Sequence, residues 1–247
     1  MNLDLTLTSS GRPDLLDTTL FGLTKKLLPK ANFGLVYVNI DPVPPTTLQE
    51  NNQCIDVVNK YFPGATIISA KEPSFGVALS NLWKLVSANK SNKKFFLHFE
   101  DDWESLRRVN LRSVSLMLNR FNNTKQVILR QEVKSIKRSL NRYQYKSLKV
   151  NGIKIDMPVF STSPSFVNKV FAGKIAELID PTIHPEKQIN NMTNHNITNF
   201  IRNYKCRKYI WLNRKPVIED LGVEWYFKKG FDRVYINGIP TYIKMRS

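Results

Sequence analysis

The stretch Lys93–Glu104, KKFFLHFEDDWE, joins an apolar run to three consecutive acids and constrains the fold more than any other segment of this chain. An apolar run bounded by charge reads as a buried strand, so Phe95, Phe96, Leu97, His98 and Phe99 would carry Glu100, Asp101 and Asp102 to its carboxyl end. That edge is where open α/β sheets bind their ligands. Carboxylates crowded there raise one another's pKa unless a cation or a set of donors neutralises them. Mg2+ or Mn2+ suits the purpose, because such an ion takes one or two protein carboxylates and completes its shell with water and substrate phosphates. The alternative is a solvated acidic turn opening a helix, with Asp102 or Glu104 favoured by the helix dipole. The aromatic strand before the acids, and Trp103 among them, argue against it.

Strand and helix patterns alternate through the first hundred residues. Leu3–Thr8 reads as a strand and breaks at Ser9-Ser10-Gly11-Arg12-Pro13, after which Asp14 is a plausible N-cap for a helix over Leu15–Leu28. Phe33–Ile40 is a second strand stopped by Asp41-Pro42, Leu48–Tyr61 a second helix, Ala65–Ala70 a third strand and Val77–Ala88 a third helix. The acidic strand is then the fourth. Such alternation implies right-handed βαβ units, a mostly parallel sheet flanked by helices, and a site along the strands' carboxyl ends.

At 247 residues the chain can bury one sizeable core. The chain is expected to divide near Gln131 into two halves of the same domain, residues 1–130 and 131–247. No basic segment followed by an apolar one opens the sequence and no long apolar run occurs, so a cytoplasmic protein is expected, in a host cytoplasm if the source is viral. Cys54 and Cys206 are isolated, which supports neither a disulfide framework nor a zinc site.

Four features taken in order resemble the nucleotide-sugar-binding half of a GT-A glycosyltransferase of the family 2 style. They are LTSSGRPDLLDTTL at the first turn, Asp41 after the second strand, FGVALSNLWKLV after the third, and EDDW as a DXD-type element. They cover roughly the first 105 residues. The resemblance implies a nucleotide diphosphate sugar as donor, held by residues 1–130, an acceptor held by residues 131–247, and Mn2+ or Mg2+ as cofactor. It also implies donor contacts from Thr8, Ser9, Arg12, Asp41, Gly76, Asn81, Glu100 and Asp101. Asp102 would be the direct metal ligand, with Asp101 assisting. An inverting enzyme of this kind also needs a general base, for which Glu186 in HPEKQI is the candidate, with Asp180 behind it. His98 reads as a core residue, His184 and His195 as loop residues able to meet metal or phosphate, and Trp225 as core or as a wall beside the sugar.

Charge is the second unusual feature. Thirty-seven Lys and Arg against twenty Asp and Glu leave a net +17. Between Ser105 and Ile155 thirteen basic residues face one acid, Glu132. Arg130, Lys134, Lys137, Arg138, Arg142 and Tyr143 in that stretch are expected to hold an anionic acceptor, cations on phosphates and tyrosine on a displaced base. A second cluster runs through Arg202, Lys205, Arg207, Lys208, Arg214 and Lys215. The leading acceptor is duplex DNA carrying a hydroxymethylated base, as for bacteriophage enzymes that glycosylate their own genomes. A glycan or lipid-linked acceptor at an anionic membrane surface is the alternative, and a non-catalytic nucleic-acid-binding module on a degenerate transferase fold is a third reading.

Overall fold

The computed structural model of the chain describes residues 2–89, 91, 93–120, 123–132, 148–150, 153–155, 160–190, 193–202, 204–209, 215–236 and 239–245. Its first half follows the expected alternation: β1 (Asn2–Ser9), α1 (Pro13–Phe21), β2 (Asn32–Ile40), α2 (Leu48–Tyr61), β3 (Thr66–Ser69), α3 (Phe75–Ala88) and β4 (Phe95–Glu100). Pro13 occupies the first turn of α1 rather than the loop before it, because a residue without an N–H forfeits nothing there. Asp14 therefore lies inside the first turn and not at the cap. Beyond Phe21 the helix widens into a π-helical turn, Gly22–Leu27. A capping box closes the start of α2, where Thr47 and Glu50 exchange side-chain and backbone hydrogen bonds.

The remaining elements are β5 (Trp103–Ser105), α4 (Leu111–Arg120), β6 (Thr124–Leu129), β7 (Gln131–Glu132), β8 (Leu148–Val150), β9 (Ile153–Ile155), β10 (Ser165–Asn168), α5 (Lys169–Leu178), α6 (Pro185–Asn190), α7 (His195–Ile201), β11 (Lys205–Tyr209), β12 (Ile218–Asp220), α8 (Gly222–Lys228), β13 (Phe231–Ile236) and β14 (Ile239–Lys244). The acids are followed by the short strand β5, so they do not open a helix.

Seven strands form one sheet in the order β11-β6-β10-β4-β1-β2-β3. β1 pairs in parallel with β2 and β4, and β2 with β3, while β10 runs antiparallel to both β4 and β6. The carboxyl ends of β1, β2, β3 and β4 therefore share one edge. Leu5, Leu7, Leu97, Phe99, Val38 and Phe166 belong to a core that α1 and the following turn cover with Leu16, Leu20, Leu23 and Leu27. Trp83, Phe96, Phe160, Phe171 and Ile175 form a second core with α3 and α5. A three-stranded sheet, β5-β12-β7, places Asp220 opposite Trp103, so sequence from beyond residue 215 lies beside the acids.

Two polar features stabilise the sheet from within. Asp4, fully buried, accepts bonds from Lys169 Nζ (2.8 Å), from Lys93 and from the Leu35 N–H (3.0 Å). Burial opposes its charge, and these partners still hold the carboxyl below its ordinary pKa. His98, also fully buried, shares a 2.9 Å hydrogen bond with Thr6 Oγ1 and meets Trp83 edge-on at 5.7 Å, as the core reading expects.

Burial lowers the His98 pKa from 6.5 to about 3, so the imidazole is neutral in the native protein. The unfolded chain takes up the extra proton over this window. The stability gained by keeping His98 neutral is complete above pH 6.5 and is lost as pH falls toward 3. Unfolding in urea between pH 6.5 and 4.5 should therefore show a steeper loss for the unsubstituted protein than for His98→Gln, by at most about 1.4 kcal/mol per pH unit. Equal slopes would remove His98 from the acid response.

Candidate active site

The site is organised around a buried arginine. Arg12 precedes α1 and is 3% exposed. Its Nη2 pairs closely with Asp101 and lies 3.0 Å from Asp102 Oδ2, while Nε reaches Asp101 Oδ2 at 3.4 Å. Ser9 Oγ and the Ser10 N–H each donate to Asp101 Oδ2 at 2.8 Å. Thr19 of α1 donates to the Asp101 carbonyl at 2.8 Å and accepts the Trp103 N–H at 3.1 Å. Burial works against the guanidinium charge, and Asp101 and Asp102 overcome it. Behind Arg12 lie the rings of Trp225 at 5.8 Å and Tyr226 at 5.5 Å, and Trp225 Nε1 donates to Asp14 at 2.8 Å.

Further acids crowd the same edge. Burial raises the Asp102 pKa to about 6, with Asp220 and Asp101 adding to the effect and Arg12 opposing it. Glu100 is held well above its ordinary value by burial first and by Asp102 next; the Trp103 indole N–H, which donates to it at 2.9 Å, opposes this, and Glu186 and Asp220 add to it. Four acids drawn from β4, the following turn, α6 and β12 thus act on one another across the carboxyl edge. Asp102 keeps 21% of its side chain exposed, so this charge is open to a ligand.

The sequence expectations fall unevenly on this geometry. Thr8 and Ser9 are buried at the end of β1, Thr8 in register with Asn39 and Glu100. Asp41 is buried too, accepting Asn39 Nδ2 at 2.7 Å and the Ser74 N–H. Burial raises its pKa, those two bonds oppose the rise and Asp101 adds to it. Arg12 and Asp101 are engaged chiefly with each other. Gly76 admits the backbone of Pro181, whose carbonyl oxygen would lie 2.5 Å from an added Cβ. Asn81 is exposed on α3. Glu186 lies beside the acids, whereas Asp180 Oδ1 takes the Thr182 N–H (2.9 Å) and hydroxyl (2.6 Å) of its own turn. His184 lies against Phe75 at 5.3 Å, and His195 is exposed. Trp225 is buried. Arg130 is half-buried and its carbonyl accepts the Val217 N–H. Lys134, Lys137, Arg138, Arg142 and Tyr143 lie outside the described residues.

Sequence reading missed Asp220 and Gly222. The signal was present, since Val217-Ile218-Glu219-Asp220 repeats the pattern of apolar residues ending in acids seen in β4. Asp220 Oδ1 accepts the Gly222 N–H at 2.9 Å, and a Cβ on Gly222 would overlap the Asp102 carboxylate and approach Arg12 Nη1 to 3.1 Å.

No family model and no curated protein matches the chain. Solved structures do. The mannosyltransferase PcManGT from Pyrobaculum calidifontis, in complex with GDP-Man and Mn2+, aligns with a TM-score of 0.56 at 10% identity, over 92% of this chain and 60% of that one. S. aureus TarS 1–349 in complex with UDP-GlcNAc aligns at 0.54 and 15% identity, over 89% of this chain and 58% of that one. The same protein in complex with UDP aligns at 0.55 and 13% identity, over 92% and 63%. The chain has the GT-A fold. It spans about 60% of the length of these neighbours.

Gly222→Ala should displace Asp102 or Arg12 and cost about 1–3 kcal/mol, the usual penalty of overpacking. Thermal unfolding measures it; an unchanged Tm would mean that α8 moves freely against the acids.

Proposed function

We propose that this chain moves a sugar from a nucleotide diphosphate sugar to a hydroxyl acceptor with the help of a divalent cation. The observation that carries the reading is the crowding of acids at the carboxyl edge of a GT-A sheet, where burial and neighbouring carboxylates, Asp220 and Glu186 among them, raise the pKa values of Glu100 and Asp102. The fold it shares with two nucleotide-sugar complexes supports the donor class.

The residues fit a cation of the hard divalent kind. Among the described residues no three His, Cys, Asp or Glu form a metal-holding group by themselves. One or two carboxylates, with donor phosphates supplying the rest of the shell, is the arrangement such ions prefer. Asp102 would hold the ion, with Asp220 beside it. When bound, the cation supplies stabilisation of the charge that develops on the leaving diphosphate. Arg12 fixes the Asp101–Asp102 turn so that Asp102 does not have to be ordered on binding. Glu186 is the candidate base for the acceptor hydroxyl.

An anionic acceptor is supported by the net +17 and its concentration between Ser105 and Ile155. The leading candidate is a hydroxymethylated base in duplex DNA, with a glycan or lipid-linked acceptor as the second. No helix among the described residues is long and apolar enough to cross a membrane.

Calorimetric titration with nucleotide diphosphate sugars, with and without Mn2+, tests the donor half. Binding should require the metal, should be lost in Asp102→Ala, and should weaken as pH falls through about 6, where Asp102 takes up a proton. Metal-independent binding would overturn the cation assignment. For the acceptor, replacing Lys134, Lys137 and Arg138 together by Ala should lower affinity for hydroxymethylated duplex DNA and flatten its salt dependence. An unaltered slope would remove that stretch from the acceptor surface.

A further inference from the structure

We propose that Ser161 and Thr162 are positioning residues that orient Glu186 as the general base, and that Gln126 holds them in place. This rests on the glycosyl-transfer reading above.

Three donors converge on one oxygen of Glu186. Its Oε1 accepts the Thr162 N–H at 2.6 Å, Ser161 Oγ at 2.9 Å and Thr162 Oγ1 at 3.1 Å. All three bonds meet Oε1, which leaves Oε2 outside the cradle. A carboxylate held through one oxygen alone has its plane and rotamer fixed while the second oxygen stays able to take a proton.

The cradle is itself supported from the sheet. Gln126 of β6 is fully buried. Its Nε2 donates to the Ser161 carbonyl at 2.5 Å and to Ser165 Oγ at 2.8 Å, and its Oε1 accepts the Ser161 N–H at 3.3 Å. The Ser163 N–H closes the loop on Ser161 Oγ at 3.2 Å. Ser161 and Thr162 are 9% and 4% exposed. A buried amide in the sheet thus fixes the backbone of a loop whose hydroxyls fix the acid. This loop precedes β10, the strand that runs against its neighbours, and so comes to the same edge as Glu100.

In the step served, the acceptor O–H gives its proton to Glu186 Oε2 as its oxygen bonds to the anomeric carbon. The bond from that carbon to the diphosphate breaks, and its electron pair leaves on the diphosphate. A general base contributes about 10² to 10⁴ in rate, and that contribution depends on being held at hydrogen-bond reach.

The test uses the full chain with Mn2+, a nucleotide diphosphate sugar and water as acceptor, following release of free sugar and donor binding separately. Glu186→Gln retains an acceptor at Oε1 and should bind donor normally while losing turnover. Ser161→Ala combined with Thr162→Val should lower kcat of the folded protein about tenfold with donor KM nearly unchanged, and Ser161→Ala combined with Thr162→Ser should restore most of the loss. A merely structural cradle would lower Tm and leave kcat of the folded fraction intact; that result, or full turnover in Glu186→Gln, would overturn the proposal while keeping the transferase. Absence of donor binding and turnover in the unsubstituted protein would overturn both.

Discussion

The buried contact between Arg12 and the Asp101–Asp102 turn is the constraint on which the rest of the site depends. Burying an unpaired charge is costly enough that evolution seldom tolerates it, and Arg12 is almost wholly enclosed. Two carboxylates on one side and two aromatic rings on the other make the enclosure stable. The same contact ties the first strand–helix turn to the end of β4 and to α8. Asp101 is thereby committed to the protein's own structure, while Asp102, partly exposed, carries the charge that a ligand can meet.

Much of the first half was legible because each element there signals itself locally. β1 breaks at Ser9-Ser10-Gly11-Arg12-Pro13, β2 is stopped by Asp41-Pro42, and β4 is an apolar run that ends in the first of the acids. The parallel order of β1 to β4 follows from helices long enough to serve as crossovers. The second half signals less. β10 is four residues long, its partners are set by the core it fills, and its antiparallel direction leaves no mark in composition. β5 and β12 are three residues each and are defined by one another.

The site was legible in the same proportion. Residues adjacent in sequence, such as Glu100 to Asp102, could be read together, but their roles diverged once partners were fixed: Asp101 faces inward to Arg12 and Asp102 outward. Gly76 is expected among the donor contacts, and the group that approaches it in the structure is the Pro181 backbone. Asp220 and Gly222 escaped because their importance lies in what they touch more than a hundred residues away. The link from Ser161 and Thr162 to Glu186 escaped for a like reason, since the partners stand more than twenty residues apart with a strand and a helix between them.

The distance in sequence between Asp102 and α8 has a consequence for how the protein comes into being. Chains emerge from the ribosome amino end first, and domains tend to fold as they appear. The first four parallel strands can form early, yet Arg12 lacks its aromatic backing and Asp102 its neighbour Asp220 until the last helix has emerged. A truncated or half-made chain therefore holds a buried cation with one wall missing. Premature termination would leave a product that is poorly folded around its acids, not a small enzyme with altered specificity.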